Sequence, residues 1–101
     1  MKYYVSARPG PMPPPPEVFD AAFEWLGGKI EDGTFDCVYG FLGGGGFSVA
    51  NADSHEEVLR LMADYPLFGF SEWEVQPLLE FGAERDTIRA KLVEAQMAMG
   101  G

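Results

Sequence analysis

Basic residues are scarce in this chain. Its 101 residues hold seven lysines and arginines against sixteen aspartates and glutamates, a formal net charge of −9. A surface of that sign repels a phosphate backbone and an anionic membrane alike, so neither nucleic acid nor membrane is an expected partner. Histidine occurs once, as His55, and one chain therefore cannot build a multi-histidine metal site. Cysteine also occurs once, as Cys37, which excludes an internal disulfide and fits a cytoplasmic location. No apolar run approaches the length of about 20 residues that a membrane-spanning helix needs, and the opening MKYYVSARPG has no signal-peptide core. The glycine run Gly43–Gly46 is followed by Phe47-Ser48-Val49 and not by the Gly-Lys-Ser/Thr of a phosphate-binding loop. It reads as a flexible hairpin that can gate a pocket but brings no side-chain chemistry. Nothing here requires a metal or a nucleotide, and no cofactor is expected.

Aromatic residues, by contrast, make up 14% of the chain, enough for a core and also for an interface or a pocket. The length suits one domain over residues 1–101. A domain this small hides only about 60–65% of the surface of its unfolded chain, so pairing with a second copy would add needed buried area.

Lys2 to Arg8 alternates from the outset and reads as a strand ended by Pro9-Gly10. Pro11 to Pro16 is a stiff connector, and a helix can begin at its last proline. From Glu17 to Ile30 the apolar positions Val18, Phe19, Ala22, Phe23, Trp25, Leu26 and Ile30 keep helical spacing. Gly27-Gly28 weakens that helix by roughly 1 kcal/mol per glycine and invites an irregularity. Thr34 to Leu42 and Phe47 to Ala52 read as the next two strands, joined by the glycine hairpin. Ser54 with Glu57 forms a capping pair, in which Glu57 reaches back to the Ser54 amide, for a helix carrying Val58, Leu59, Leu61 and Met62. Pro66 ends it and Gly69 permits a tight turn. Phe70 to Leu78 then alternates, with Phe70, Glu72, Glu74 and Gln76 on one side and Ser71, Trp73, Val75 and Pro77 on the other. A last helix, about 83–99, places Ile88, Leu92, Ala95 and Met99 on one stripe.

The order β-α-β-β-α-β plus a C-terminal helix predicts a ferredoxin-like α+β fold, with both helices on one face of an antiparallel sheet. The other face, with Tyr4 and Phe70 assigned to it, calls for a partner sheet.

Several residues are candidates for chemistry. Glu24, between Phe23 and Trp25, would gain basicity if aromatic rings stripped its water; the alternative is a solvated helix face. Tyr39 and Tyr3 offer phenols to a carbonyl or phenolate oxygen. Ser6 and Arg8 stand toward the end of the first strand, where Arg8 can pair with an anionic group. Phe23, Trp25, Phe47 and Trp73 are core residues unless a pocket opens between sheet and helices, in which case they line it. His55 reads as a solvated or capping residue and Cys37 as a small buried hydrophobe.

Pro66, Leu67, Phe68 and Phe70, then Glu74, Val75 and Leu78, resemble the leucine-rich turn and following strand of the muconolactone isomerase-like family. Gly33-Thr34-Phe35 and Phe47-Ser48-Val49 match its second and third strands in the same ungapped frame. The resemblance covers roughly Lys2 to Leu79. It implies a dimeric α+β barrel, with homodimers or larger rings, and a cofactor-independent isomerase-like enzyme. Such an enzyme would move a proton on a small aromatic-derived or polyketide-like carbonyl compound, with Glu24 as base and Tyr39 or Arg8 holding the oxyanion. The same barrel superfamily also implies cofactor-free oxygenase or cyclase chemistry, or a non-catalytic ligand-binding or assembly protein. In the ungapped frame the family's proton-moving glutamate falls at Ala22. Glu24 is two residues on, about 200° around a helix. The family's polar and basic second-strand residues are replaced by Cys37, Val38, Tyr39 and Gly40.

Overall fold

The computed structural model describes residues 1–100. Its elements run β1 (Lys2–Pro9), α1 (Pro16–Glu31), β2 (Phe35–Gly40), β3 (Gly46–Asn51), α2 (His55–Asp64), β4 (Ser71–Leu78) and α3 (Arg85–Ala98), with a 3-10 turn at Phe68–Phe70. The strands form one antiparallel sheet in the order β2-β3-β1-β4. This is the ferredoxin-like α+β arrangement with an added C-terminal helix.

Strand alternation divides the sheet into two faces with different tasks. On one, Tyr3 lies opposite Ala50 and Pro77, and Val5 opposite Ser48 and Val75. Tyr3, Val5, Phe35, Ala50, Ala52 and Val58 build the buried core there. Trp25 and Leu26 from α1, and Leu61 and Met62 from α2, pack onto it. On the other face Tyr4 lies opposite Val49 and Gln76, and Ser6 opposite Phe47 and Glu74. Tyr4, Phe47 and Tyr39 stack in a row there, with centroids 5.4 and 5.8 Å apart. Cys37 is half-buried on that side, opposite Val49.

Local chemistry explains the helix starts. α1 opens at Pro16, where a missing amide costs no hydrogen bond, with Glu17 in its first turn and Lys29 in its last. Gly27-Gly28 does not interrupt it: α1 continues to Glu31, correcting the expected irregularity. Ser54 accepts the Glu57 amide at 3.2 Å. The Glu57 carboxylate accepts from the Asp53 amide at 2.9 Å, one residue before the Ser54 amide expected from the capping pattern.

The second strand ends at Gly40, short of the expected Leu42, because the chain turns at once. The Phe41 amide donates to Gly45 at 2.8 Å and the Gly44 amide to Phe41 at 3.0 Å. Gly45 has φ +75°, and a Cβ there would collide with the Ala7 carbonyl oxygen and the Arg8 Cα. This turn is seated on the end of β1 and not a loose hairpin. Phe70 belongs to the 3-10 turn and not to the open sheet face, a second correction. Every residue of α3 is exposed, including Ile88 and Leu92, so its apolar stripe has no cover among the described residues.

Candidate functional site

The sheet and the two helices above it do not close completely. Between them lies a cavity of about 650 Å³, within the size range of small-molecule sites. Its floor is the helix-facing side of the sheet: Val5 and Ala7 of β1, Val38 of β2, Ser48 of β3 and Trp73 of β4. Its walls are Phe19, Phe23, Trp25 and Leu26 of α1, with Leu61, Met62 and Tyr65 from α2 and its end. The proline connector and the glycine turn form its rim.

A continuous run of ring contacts borders one side of this space and extends past it to Phe68. Phe35 meets Trp25 at 5.7 Å, Trp25 meets Tyr65 at 5.3 Å, Tyr65 meets Trp73 at 5.6 Å and Trp73 meets Phe68 at 5.9 Å. Edge and tilted contacts of this kind hold each ring's orientation. The Trp73 indole donates to the Phe68 carbonyl at 3.2 Å, and the Ser71 hydroxyl to the Leu67 carbonyl at 2.8 Å. Burial pushes the Tyr65 phenol above its ordinary value, so it stays protonated. Among the described residues no aspartate, glutamate or histidine lines the cavity, and Arg8 is its one charged side chain. The Arg8 guanidinium sits over the Phe41 ring, 4.6 Å from its centroid.

Six of the residues singled out from sequence border the cavity: Phe23, Trp25 and Trp73 from the helix side, and Arg8, Tyr39 and Phe47 only at its rim, since strand parity turns these three toward the open sheet face. Of these, Phe23 and Tyr39 are each 62% exposed and stand at its mouth. Three others are elsewhere. Tyr3 is buried in the core, and its hydroxyl is 2.8 Å from His55 Nδ1, so it is committed to tying β1 to the start of α2. His55 thus holds a partner where a solvated or capping residue was expected. Ser6 is buried on the opposite face of the sheet, between Phe47 and Glu74. Glu24 is exposed and does not border the cavity, whereas Ala22 is fully buried. The rotation of about 200° per two helical residues accounts for this: a helix that turns position 22 inward turns position 24 outward. The structure therefore corrects the placement of Glu24 against the aromatic pocket.

Most of the floor and wall was missed, Tyr65 and Ser48 included. Tyr65 continues the stripe of Val58, Leu61 and Met62 at helical spacing, and Ser48 shares strand parity with Ala50; both signals were present in the sequence. Among the described residues no group of three or more metal-ligating side chains is assembled, and no helix is long and apolar enough to cross a membrane.

No protein-family profile matches the chain, and no curated protein matches it. Solved structures do. Muconolactone isomerase superposes with a TM-score of 0.68 at 20% identity, over 82% of this chain and 93% of that one. The 5-chloro-2-hydroxyhydroquinone dehydrochlorinase of Burkholderia phenoliruptrix AC1100, in complex with 2,5-dihydroxybenzoquinone, superposes with a TM-score of 0.62 at 15% identity, over 79% and 95%. At such identities the likeness speaks for architecture, and it agrees with the strand order, the two-helix layer and the length found here. The chain has the muconolactone isomerase-like fold.

Proposed function

We propose that the protein is a cofactor-independent, isomerase-like enzyme that shifts a proton on a small aromatic-derived or polyketide-like carbonyl compound held beneath α1 and α2. The cavity carries this reading: about 650 Å³ of space, walled by aromatic rings and open at a proline and glycine rim. Trp25, Trp73 and Phe23 supply apolar contact, with Arg8, Tyr39 and Phe47 at the mouth. The dehydrochlorinase of the same fold is known with a planar dihydroxyquinone, a compound of the proposed class. In the reaction a C–H bond beside the carbonyl breaks, its electron pair moves to the oxygen, and a proton returns at a different carbon. Because no carboxylate or imidazole borders the cavity among the described residues, the proton acceptor is water at the mouth or a group of a second copy.

That second copy is part of the proposal. The row Tyr4, Phe47 and Tyr39 leaves aromatic surface on the open sheet face, and pairing two such faces as a homodimeric barrel would cover it. The net charge and lone cysteine fit work in the cytoplasm.

The same lack of a wall carboxylate favours a second reading, ligand binding without turnover. One experiment separates them. Titrating the protein with neutral aryl ketones while following tryptophan fluorescence measures binding, and deuterium uptake beside the carbonyl, followed by NMR in heavy water, measures proton transfer. Binding with exchange above the buffer rate supports the enzyme. Binding with no exchange supports the carrier, and no binding by any aryl ketone discards both.

A further inference from the structure

The polar atoms on the cavity wall divide into committed and uncommitted ones. Ser71 and Trp73 spend their donors on the carbonyls of Leu67 and Phe68. Arg8 is exposed and stacked on Phe41 at the rim. Among the described residues, the lining side chains left with a donor and no hydrogen bond to protein are the Ser48 and Tyr65 hydroxyls and the Trp25 indole N–H, with the Tyr39 hydroxyl at the mouth. Ser48 is 6% exposed and lies on the helix-facing side of β3, between Val5 and Val38. Tyr65 is clamped between the rings of Trp25 and Trp73.

From this arrangement we infer that the cavity takes an uncharged aromatic or quinone-type carbonyl compound, received at its oxygen by the Ser48 or Tyr65 hydroxyl, and that it rejects carboxylated analogues of the same shape. This rests on the cavity being a small-molecule site, as proposed above. The physical reason is desolvation. A carbonyl oxygen entering an apolar space gives up modest hydration, and one neutral donor replaces it. A carboxylate gives up far more and needs a buried cation or several donors in return. The deep wall offers neither among the described residues, since its only cation is at the mouth. Tyr65, kept protonated by burial, can donate throughout the neutral range.

The test uses three probes that share one ring system: 2-acetonaphthone, 2-naphthoate and 2-ethylnaphthalene. Each is titrated at pH 7.5 into the full-length protein while the indole N–H signals are followed by NMR. The ketone is expected to bind at least about 10-fold more tightly than the carboxylate. Tyr65→Phe and Ser48→Ala are conservative enough to keep the fold, which circular dichroism checks. At least one should weaken the ketone by about 2–10-fold, the range of a single neutral hydrogen bond. Binding of the hydrocarbon should change less than about twofold in either, since it makes no such bond. If the carboxylate binds as tightly as the ketone, or if neither variant weakens the ketone, the inference is overturned while the cavity remains a ligand site. If none of the three binds, the functional proposal itself falls and takes this inference with it.

Discussion

Replacing Gly27 and Gly28 together with alanine should stabilise the protein by about 2 kcal/mol. Both glycines lie inside the continuous helix α1, and a Cβ built on either meets nothing within 4 Å. Neither has a positive φ, so alanine fits the existing backbone. Both are exposed, so the new methyl groups bury no surface, and the gain reduces to helix propensity, about 0.8–1 kcal/mol per site. With no contacts shared by the new methyls, the two gains should add. In a domain near this size about 1 kcal/mol moves the thermal midpoint by about 4–8 °C, so the double variant should gain roughly 8–16 °C. Thermal and urea unfolding, followed by far-ultraviolet circular dichroism at matched protein concentrations, measure this directly. Concentration must be matched because an oligomer's midpoint depends on it. A double variant less stable than the parent would refute the reasoning, as would a gain that vanishes as concentration rises. Either result would mean that another chain packs against bare backbone at this turn of the helix.

Four further outcomes are expected. Gly45→Ala should destabilise the protein by at least about 2 kcal/mol, because a left-handed backbone and a main-chain collision coincide there; a shift in urea midpoint smaller than that of Gly43→Ala would contradict it. Val49→Glu places a carboxylate at the middle of the open sheet face, and if the parent pairs through that face as proposed, sedimentation equilibrium should report a monomer for the variant. Glu24→Gln should leave probe binding and any exchange activity unchanged, since this side chain is exposed and outside the cavity; a loss of activity with intact folding would return it to the mechanism. Asp36 accepts from Lys2 and from Asn51, and these bonds, that of Lys2 foremost, hold its carboxyl below the ordinary aspartate range. A folded-state pKa below the unfolded one adds stability that is complete above the unfolded value and disappears as pH falls through the folded one. Asp36→Asn should therefore flatten the loss of stability below about pH 4, read from urea midpoints across pH.

The placement of Glu24 shows how far sequence reasoning carried and where it stopped. Flanking aromatics identified a helix with a greasy side, and Phe23 and Trp25 do border the cavity. Adjacency in sequence is not adjacency on a helix, however, and successive side chains point about 100° apart. Ala22, which the family comparison marked, is the inward position. Tyr3 failed as a site residue for a different reason: its partner, His55, lies far along the chain, and no local pattern announces a hydrogen bond between them. Ser48 and Tyr65 were legible as inward positions by parity and helical spacing. That both residues line an unfilled cavity could not be read from either.

What the amino-acid order determined alone is the element sequence and which side of each element turns inward. Caps, prolines and the periods of two and 3.6 act over a few residues and need no distant partner. The antiparallel pairing of β1 with both β3 and β4, the seating of the glycine turn on β1 and the unfilled space under α1 and α2 depended on tertiary structure. These features arise where surfaces remote in sequence meet, and whether the meeting closes or leaves a hollow depends on side-chain volumes summed across the whole interface.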